Sequence, residues 1–341
     1  MLRPCLSLAL CLLLAACNSE APDAGAQVAA KVVTSGDGGD FGAVSTVQPV
    51  PTLKSDLERS TDWPPAKVES GHAFVSCETD YALHGDGQPL VNLEFFSVLD
   101  AMTMCQERGV VRLRYQGKIA GDFITLVERI AEMATRMGIP ERILDIDSSG
   151  GHVEDAIVAG DSMAESHWTI WVREDAVCHS ACVLVLAAGD NRLIAGKVGV
   201  HRIIRLQSKA TSRAELNREL SEVHTQIEAY LERNGAASAV ADLMMTIPNR
   251  SLRVLSAEEL SAFGLDGANA AQDDLERIRL ARECGEDFVR RRDAFNRAFD
   301  TDCAAPKQSV EVQNTCGLAL RGRFGFPDQK CRAESPMAEY Q

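Results

Sequence analysis

VVRLRYQGKIAGDFITLVERIAEMATRMGIPERILDIDSSGG, residues 110–151, holds two structural periods in one run. VVRLRYQG, rich in β-branched and aromatic residues, reads as a strand. FITLVERIAEMATRMG places Ile124, Val127, Ile130, Ala131, Ala134 and Met137 on one face, which predicts an amphipathic helix closed by Gly138 and Pro140. RILDID is a second strand and SSGG a tight turn. A strand, a helix and a strand in this order predict a parallel βαβ unit.

The alternation continues outward. VEDAIVAGDSMAES reads as a second helix, WTIWV as a third strand, and SACVLVLAAG as a short helix apolar nearly all round, hence buried. RLIAGKVGVHRI is a strand or a strand pair. A long helix runs from about Ser212 to Asn234 and is closed by Gly235. SAEELSAFG carries a capping box, Ser256 with Glu259, and Leu255 is set to staple onto Leu260. Residues 108–270 are therefore expected to form an α/β domain with a mostly parallel sheet. Residues 51–107 read as an irregular N-terminal segment carrying Cys77 and Cys105, with a helical piece around FFSVLDAMTMC. Residues 271–341 read as a helical, cysteine-containing C-terminal extension.

The first residues point to export. MLRPCLSLALCLLLAAC has one Arg and an apolar run too short to cross a bilayer, the pattern of a signal peptide. Ala15 and Ala16 before Cys17 resemble a bacterial lipobox. That resemblance implies removal of residues 1–16, a lipid on Cys17 and attachment to a membrane through it. Asn18, in place of Asp, leaves out the usual inner-membrane retention signal, so the resemblance implies an outer-membrane lipoprotein of the bacterial envelope, facing the periplasm. Residues 17–50, rich in Ala, Gly, Asp, Ser and Val, read as a flexible tether. The remaining cysteines are Cys77, Cys105, Cys178, Cys182, Cys284, Cys303, Cys316 and Cys331, an even set that suits disulfides in an oxidising compartment. Locality suggests Cys77–Cys105, Cys178–Cys182 and two bridges among the last four. A net charge of −14 makes nucleic acid a poor partner.

In a parallel sheet the C-terminal strand ends share one edge, where sites form. SSGG, VCHSAC and His201 all fall at such ends. The chemistry this suits is acyl transfer. Ser180 would be the nucleophile and His201 its base, because a free hydroxyl is a weak nucleophile at neutral pH. The backbone N–H of Gly150 or Gly151, together with that of Ala181, would bind the oxyanion. Each residue also has a plainer reading. Ser180 suits a helix N-cap, His201, His152 and His179 suit structural or surface roles, and the glycine pair suits a helix start. Cys178 and Cys182 suit a local disulfide that rigidifies the turn presenting Ser180, a pair of free buried thiols, or a metal or redox pair. With one adjacent His they supply three ligands at most, so no metal and no cofactor is expected.

Read together, SSGG, CHSACVLVLAAG and GVHR resemble the Clp protease proteolytic subunit and its exported relatives in the crotonase-like superfamily. RYQGKI resembles that family's opening strand and LSAEELSAFGLD its closing helix and turn; the likeness spans about residues 109–268. It implies a spiral of ββα units, a serine-peptidase activity, Ser180 as nucleophile, His201 as base, and Gly150, Gly151 and Ala181 as the oxyanion loop. It also implies a homo-oligomer, since Clp subunits form rings. Two positions depart from the pattern. Ser149 stands where proline is usual, and Leu252 fills the slot of the triad's aspartate, four residues before Ser256; Asn249 and Ser251 are nearby substitutes, and a Ser–His dyad is the other arrangement. The expected function is an envelope-anchored serine hydrolase acting on peptides or acyl substrates. The first rival is a non-catalytic envelope protein that keeps the fold for assembly or partner binding. An acyl-CoA enzyme is disfavoured by export and by the lack of a basic patch for the CoA phosphate. A thiol-redox protein using Cys178 and Cys182 is the third rival.

Overall fold

The computed structural model describes residues 60–205, 208–248, 250–303 and 310–338. The signal peptide, Cys17, the tether and Asn249 lie outside the described residues. In chain order the strands are β1 (Gly71–Ser76), β2 (Gln88–Pro89), β3 (Val110–Gly117), β4 (Glu141–Asp147), β5 (Thr169–Val172), β6 (Val177–His179), β7 (Asn191–Ile194), β8 (Lys197–Val200), β9 (Arg253–Val254) and β10 (Gly267–Ala268). The helices are α1 (Tyr81–His84), α2 (Phe95–Arg108), α3 (Gly121–Met137), α4 (Val153–Ala164), α5 (Cys182–Ala187), α6 (Arg213–Arg233), α7 (Ala239–Thr246), α8 (Ala257–Ala262), α9 (Ala270–Glu283), α10 (Glu286–Asp302) and α11 (Val310–Arg321).

Strands β3, β4, β5 and β7 run parallel at the centre of a seven-stranded sheet of order β10-β7-β5-β4-β3-β1-β2. A second sheet, β6-β8-β9, has a parallel pair and an antiparallel edge. The two sheets meet where Ser148, just past β4, bridges Cys178 of β6. The fold is thus α/β with a mostly parallel sheet, as the sequence indicates, followed by a disulfide-bearing helical extension. Helix α3 buries Ile124, Val127, Ile130, Ala131 and Ala134 and stops at Gly138, whose φ of 66° is the left-handed cap. RLIAGKVGVHRI resolves into a strand pair, β7 and β8, turning at Gly196. A Cβ there would lie 2.2 Å from the Arg173 carbonyl oxygen. The Ser256–Glu259 capping box is present.

Residues 71–76, read from the sequence as irregular, form β1, paired antiparallel with β3. Their pairing partner lies about 40 residues downstream, which local patterning does not report. The Cys77–Cys105 disulfide then ties the following segment to α2.

One sheet face carries a buried charge cluster. Arg112 and Arg114 alternate with Leu113 on β3 and meet Asp145 of β4, with Nη1 to carboxylate distances of 3.2 and 2.7 Å; Arg173 pairs with the same carboxylate. Asp145 has no exposed surface. Arg112 also donates to the carbonyls of Glu78 (2.9 Å) and Gly85 (2.6 Å), and so pins the 78–85 segment over the sheet.

Helix α5 is enclosed along its whole length. Its end carbonyls are met from outside the helix. Arg192, fully buried, donates to the carbonyls of Leu186 (3.3 Å), Ala187 (2.5 Å) and Asn234 (3.2 Å), and burial pushes its pKa down to about 10. The Tyr230 hydroxyl donates to the Leu184 carbonyl at 2.8 Å. Beyond β10, helices α9–α11 gather Leu280, Phe288, Val289, Phe295, Leu320 and Phe326 into a separate apolar cluster, fastened by Cys284–Cys331 and Cys303–Cys316.

Removing the shared carboxylate isolates buried cations. Asp145→Ala is expected to lower stability by about 3–5 kcal/mol, read as a fall in denaturation midpoint; an unchanged midpoint would show that the three arginines do not depend on it.

Candidate functional site

Three parallel strand ends converge. Ser148 donates its N–H to the Val177 carbonyl (2.7 Å) and accepts from the His179 N–H (2.9 Å), so the end of β4 runs beside β6. Strand β6 in turn pairs with β8, His179 opposite Gly199, and the Ser180 N–H donates to the Gly199 carbonyl at 2.8 Å. Ser180 therefore leaves β6, and His201 leaves β8, at the C-terminal ends of adjacent strands, about 4.8 Å apart.

Ser180 is the unusual residue. Its φ is +61°, one of three non-glycine residues with positive φ among those described. It is 0% exposed, and its Oγ has no hydrogen-bond partner among the described residues. The N-cap reading fails here: the helix N-cap is Ala181, and only the Ser180 main-chain carbonyl, not the hydroxyl, accepts from Val183 (3.0 Å). An L-residue in the left-handed region costs about 1–2 kcal/mol, and a buried hydroxyl left without a partner about 1–3 kcal/mol. The Cys178–Cys182 disulfide, fully buried, brackets this residue two positions to each side.

Gly150 packs directly on the serine. Its φ is +104°, and a Cβ there would lie 2.7 Å from Ser180 Cβ, 2.8 Å from the His179 carbonyl oxygen and 3.1 Å from Ser180 Oγ. The Ser148 hydroxyl accepts from the Gly150 N–H at 3.1 Å and shapes the turn, a role the sequence reading missed; a Ser two residues before a Gly is the local signal for such a turn. Gly151 pairs with Ile119, which bonds to the Gly150 carbonyl (3.0 Å) and the His152 N–H (2.9 Å). In a parallel ladder this turns the N–H of Gly151 away from Ile119. Ala181 follows Ser180 directly and is fully buried.

His201 is 7% exposed, and its Nδ1 lies 3.3 Å from the Arg202 carbonyl oxygen. Strand β9 pairs antiparallel with β8, Gly199 to Val254 and Val200 to Arg253. Continuing that register sets Leu252 opposite His201. Leu252 is 43% exposed and its side chain lies over Gly199. Ser251 donates its N–H to the Pro248 carbonyl. Asn249 is outside the described residues.

His152, next to Gly151, holds Asp155 through Nδ1 at 2.9 Å. That hydrogen bond raises its pKa above the ordinary imidazole value, against the opposing pull of desolvation. Lys118 donates to the Ser149 hydroxyl at 2.7 Å beside the same turn. Among the described residues, the group able to offer three ligand atoms to a cation is His224, Glu228 and Asp242, on α6 and α7. No described helix is long and apolar enough to cross a membrane.

No protein-family model matches the chain, and no curated protein matches it. Two solved structures with similarity to it are mutants of the 1510-N membrane-bound stomatin-specific protease. One, a serine-to-alanine mutant, is 15% identical, with a TM-score of 0.38 over 50% of this chain and 82% of that one. The other, a lysine-to-alanine mutant in complex with a substrate peptide, is 17% identical, with a TM-score of 0.37 over 50% and 77%. At such scores the likeness adds nothing to the fold, which rests on the strand order.

The contact between Gly150 and Ser180 sets a steric test. Gly150→Ala must move either the glycine turn or the serine, since the new Cβ would meet backbone and Cβ atoms rather than a flexible tip. A loss of about 1–3 kcal/mol in stability is expected; an unchanged denaturation curve would show that the turn and Ser180 are not in contact.

Proposed function

We propose that this chain is a serine hydrolase of the peptidase type, acting on peptide or acyl substrates. The observation that carries the reading is Ser180, held at positive φ with its hydroxyl buried and unpartnered. Such costs are kept where function needs them.

In this mechanism Ser180 Oγ attacks the substrate carbonyl while His201 takes the hydroxyl proton. The N–H groups of Gly151 and Ala181 hold the oxyanion. The tetrahedral intermediate collapses, and the leaving group departs with the proton from His201. Water, deprotonated by His201, then attacks the acyl-enzyme and restores Ser180. Ser180 and His201 share no hydrogen bond at rest, a contact that apo sites often form only with substrate. Leu252 cannot orient an imidazole, so His201 works as a dyad partner or takes its orientation from Asn249.

The experiment is labelling with a fluorophosphonate probe. The wild type is expected to label, and Ser180→Ala and His201→Ala are expected to lose labelling. Leu252→Asp, at a half-exposed position opposite His201, is expected to label about tenfold faster. A folded wild type that does not label would sink the reading. It would leave a non-catalytic envelope protein, the rival that Leu252 favours.

The reading includes a lipid anchor at Cys17 on the periplasmic side of the outer membrane. Radiolabelled palmitate is expected to enter the wild type and not Cys17→Ser; equal incorporation in both would remove the anchor. Assembly into a homo-oligomer also belongs to the proposal and is read by the mass of the soluble chain in solution.

A further inference from the structure

Ser180 has a backbone conformation that its own chemistry does not favour, and among the described residues its side chain makes no bond that would hold it there. What does hold it is main chain and sulfur. The Ser180 N–H is fixed to Gly199, the His179 N–H to Ser148, and Gly150 closes one side. The Cys178–Cys182 disulfide links the residues two positions before and after Ser180. Cys178 is the middle residue of β6 and Cys182 the first residue of α5, so the bridge spans the strand-to-helix turn whose centre is Ser180. Both cysteines are fully buried.

We propose that the Cys178–Cys182 disulfide is a positioning device for Ser180, and that the site is competent only when this bridge is closed. The proposal rests on the hydrolase reading of Ser180. Without the cross-link, the turn is free to take the negative φ an L-residue prefers, which withdraws Oγ from the place set by Gly150. A displacement of about 1 Å is enough to lose two orders of magnitude in reactivity.

Closing the bridge removes two electrons and two protons from the two thiols, and these pass to a disulfide-exchange oxidant, which leaves as a dithiol. An oxidising compartment supplies such an oxidant and a reducing cytosol does not. The hydrolase would therefore be silent before export and switched on after it, with bridge closure as the activation step.

The test compares wild type, Cys178→Val/Cys182→Ala, and Cys303→Ala/Cys316→Ala, which opens a bridge in the C-terminal extension. Fluorophosphonate labelling is run to saturation, so that probe binding and the inactivation rate separate. Amide exchange over residues 180–183 is measured alongside, and near-UV circular dichroism reports folding. The first variant is expected to fold and bind probe like wild type, inactivate about a hundredfold more slowly, and exchange residues 180–183 faster. The second variant is expected to match wild type in inactivation rate and in exchange at 180–183.

A folded first variant with wild-type inactivation and exchange overturns the proposal. If that variant does not fold, wild type incubated with dithiothreitol, then returned to oxidised glutathione, gives the same comparison: labelling lost and regained supports the proposal, and labelling unchanged with the Cys178–Cys182 bridge shown open by thiol mapping overturns it. If wild type fails to label at all, the hydrolase reading fails; faster exchange at 180–183 in the variant would still support the positioning role.

Discussion

The site depends on one close approach, backbone against serine. Gly150 can lie on Ser180 only because it has no Cβ, and Ser180 can turn from strand to helix within one residue only because its φ is positive. Neither condition is met by a stable local preference. Glycine tolerates its own dihedral angles here; serine does not, and its surroundings must hold it. They do so through ladder bonds from Gly199 and Ser148, through the buried disulfide, and through the anchoring of α5 at its far end. Freedom at any of these would let the turn relax.

That anchoring explains an apolar helix with no exposed residue. A helix only six residues long leaves more main-chain groups without an intrahelical partner than it pairs, and in a dry interior each unpaired group is costly. Arg192 and Tyr230 satisfy the carbonyls at its end. Arg192 stays buried and donates to carbonyl dipoles, while the nearby Asp190 carboxylate offsets part of the desolvation that lowers its pKa. The same logic governs the other sheet face, where one carboxylate, Asp145, is shared by three guanidinium groups, and Arg112 and Arg173 also reach the Glu78 carbonyl and the Asp86 carboxylate. Arg192 and Asp145 are buried where they fasten one element to another.

Legibility in the sequence follows the range of the interaction. Helix α3, the Ser256 capping box and the order of strands β3, β4 and β5 are local patterns of period and cap, and the structure shows each of them. Strand β1 is hidden because its pairing partner lies far along the chain. Arg192 reads as an ordinary charged residue; only the meeting of α5 and α6 makes it a cap. The order Ser-Gly-Gly, Ser180, His201 is readable because parallel strands deliver their ends to one edge. The positive φ of Ser180 and the Ser148 bond that shapes the turn are not, since neither residue type announces its dihedral angles.

Leu252 is where the two functional readings part. Continued β8–β9 register sets it opposite His201, and among the described residues His201 Nδ1 meets only a main-chain carbonyl, at 3.3 Å. A protein kept only for binding has no use for an acid there, which explains the leucine. It also has no use for a serine hydroxyl enclosed without a partner, in a conformation its backbone resists. An alanine or glycine at position 180 would remove one or both costs and keep the fold. The leucine withholds a carboxylate from His201, whereas the strained, enclosed serine is what the proposed hydrolase would need. The argument for the proposed hydrolase therefore rests on Ser180, and the argument for a binding protein rests on Leu252.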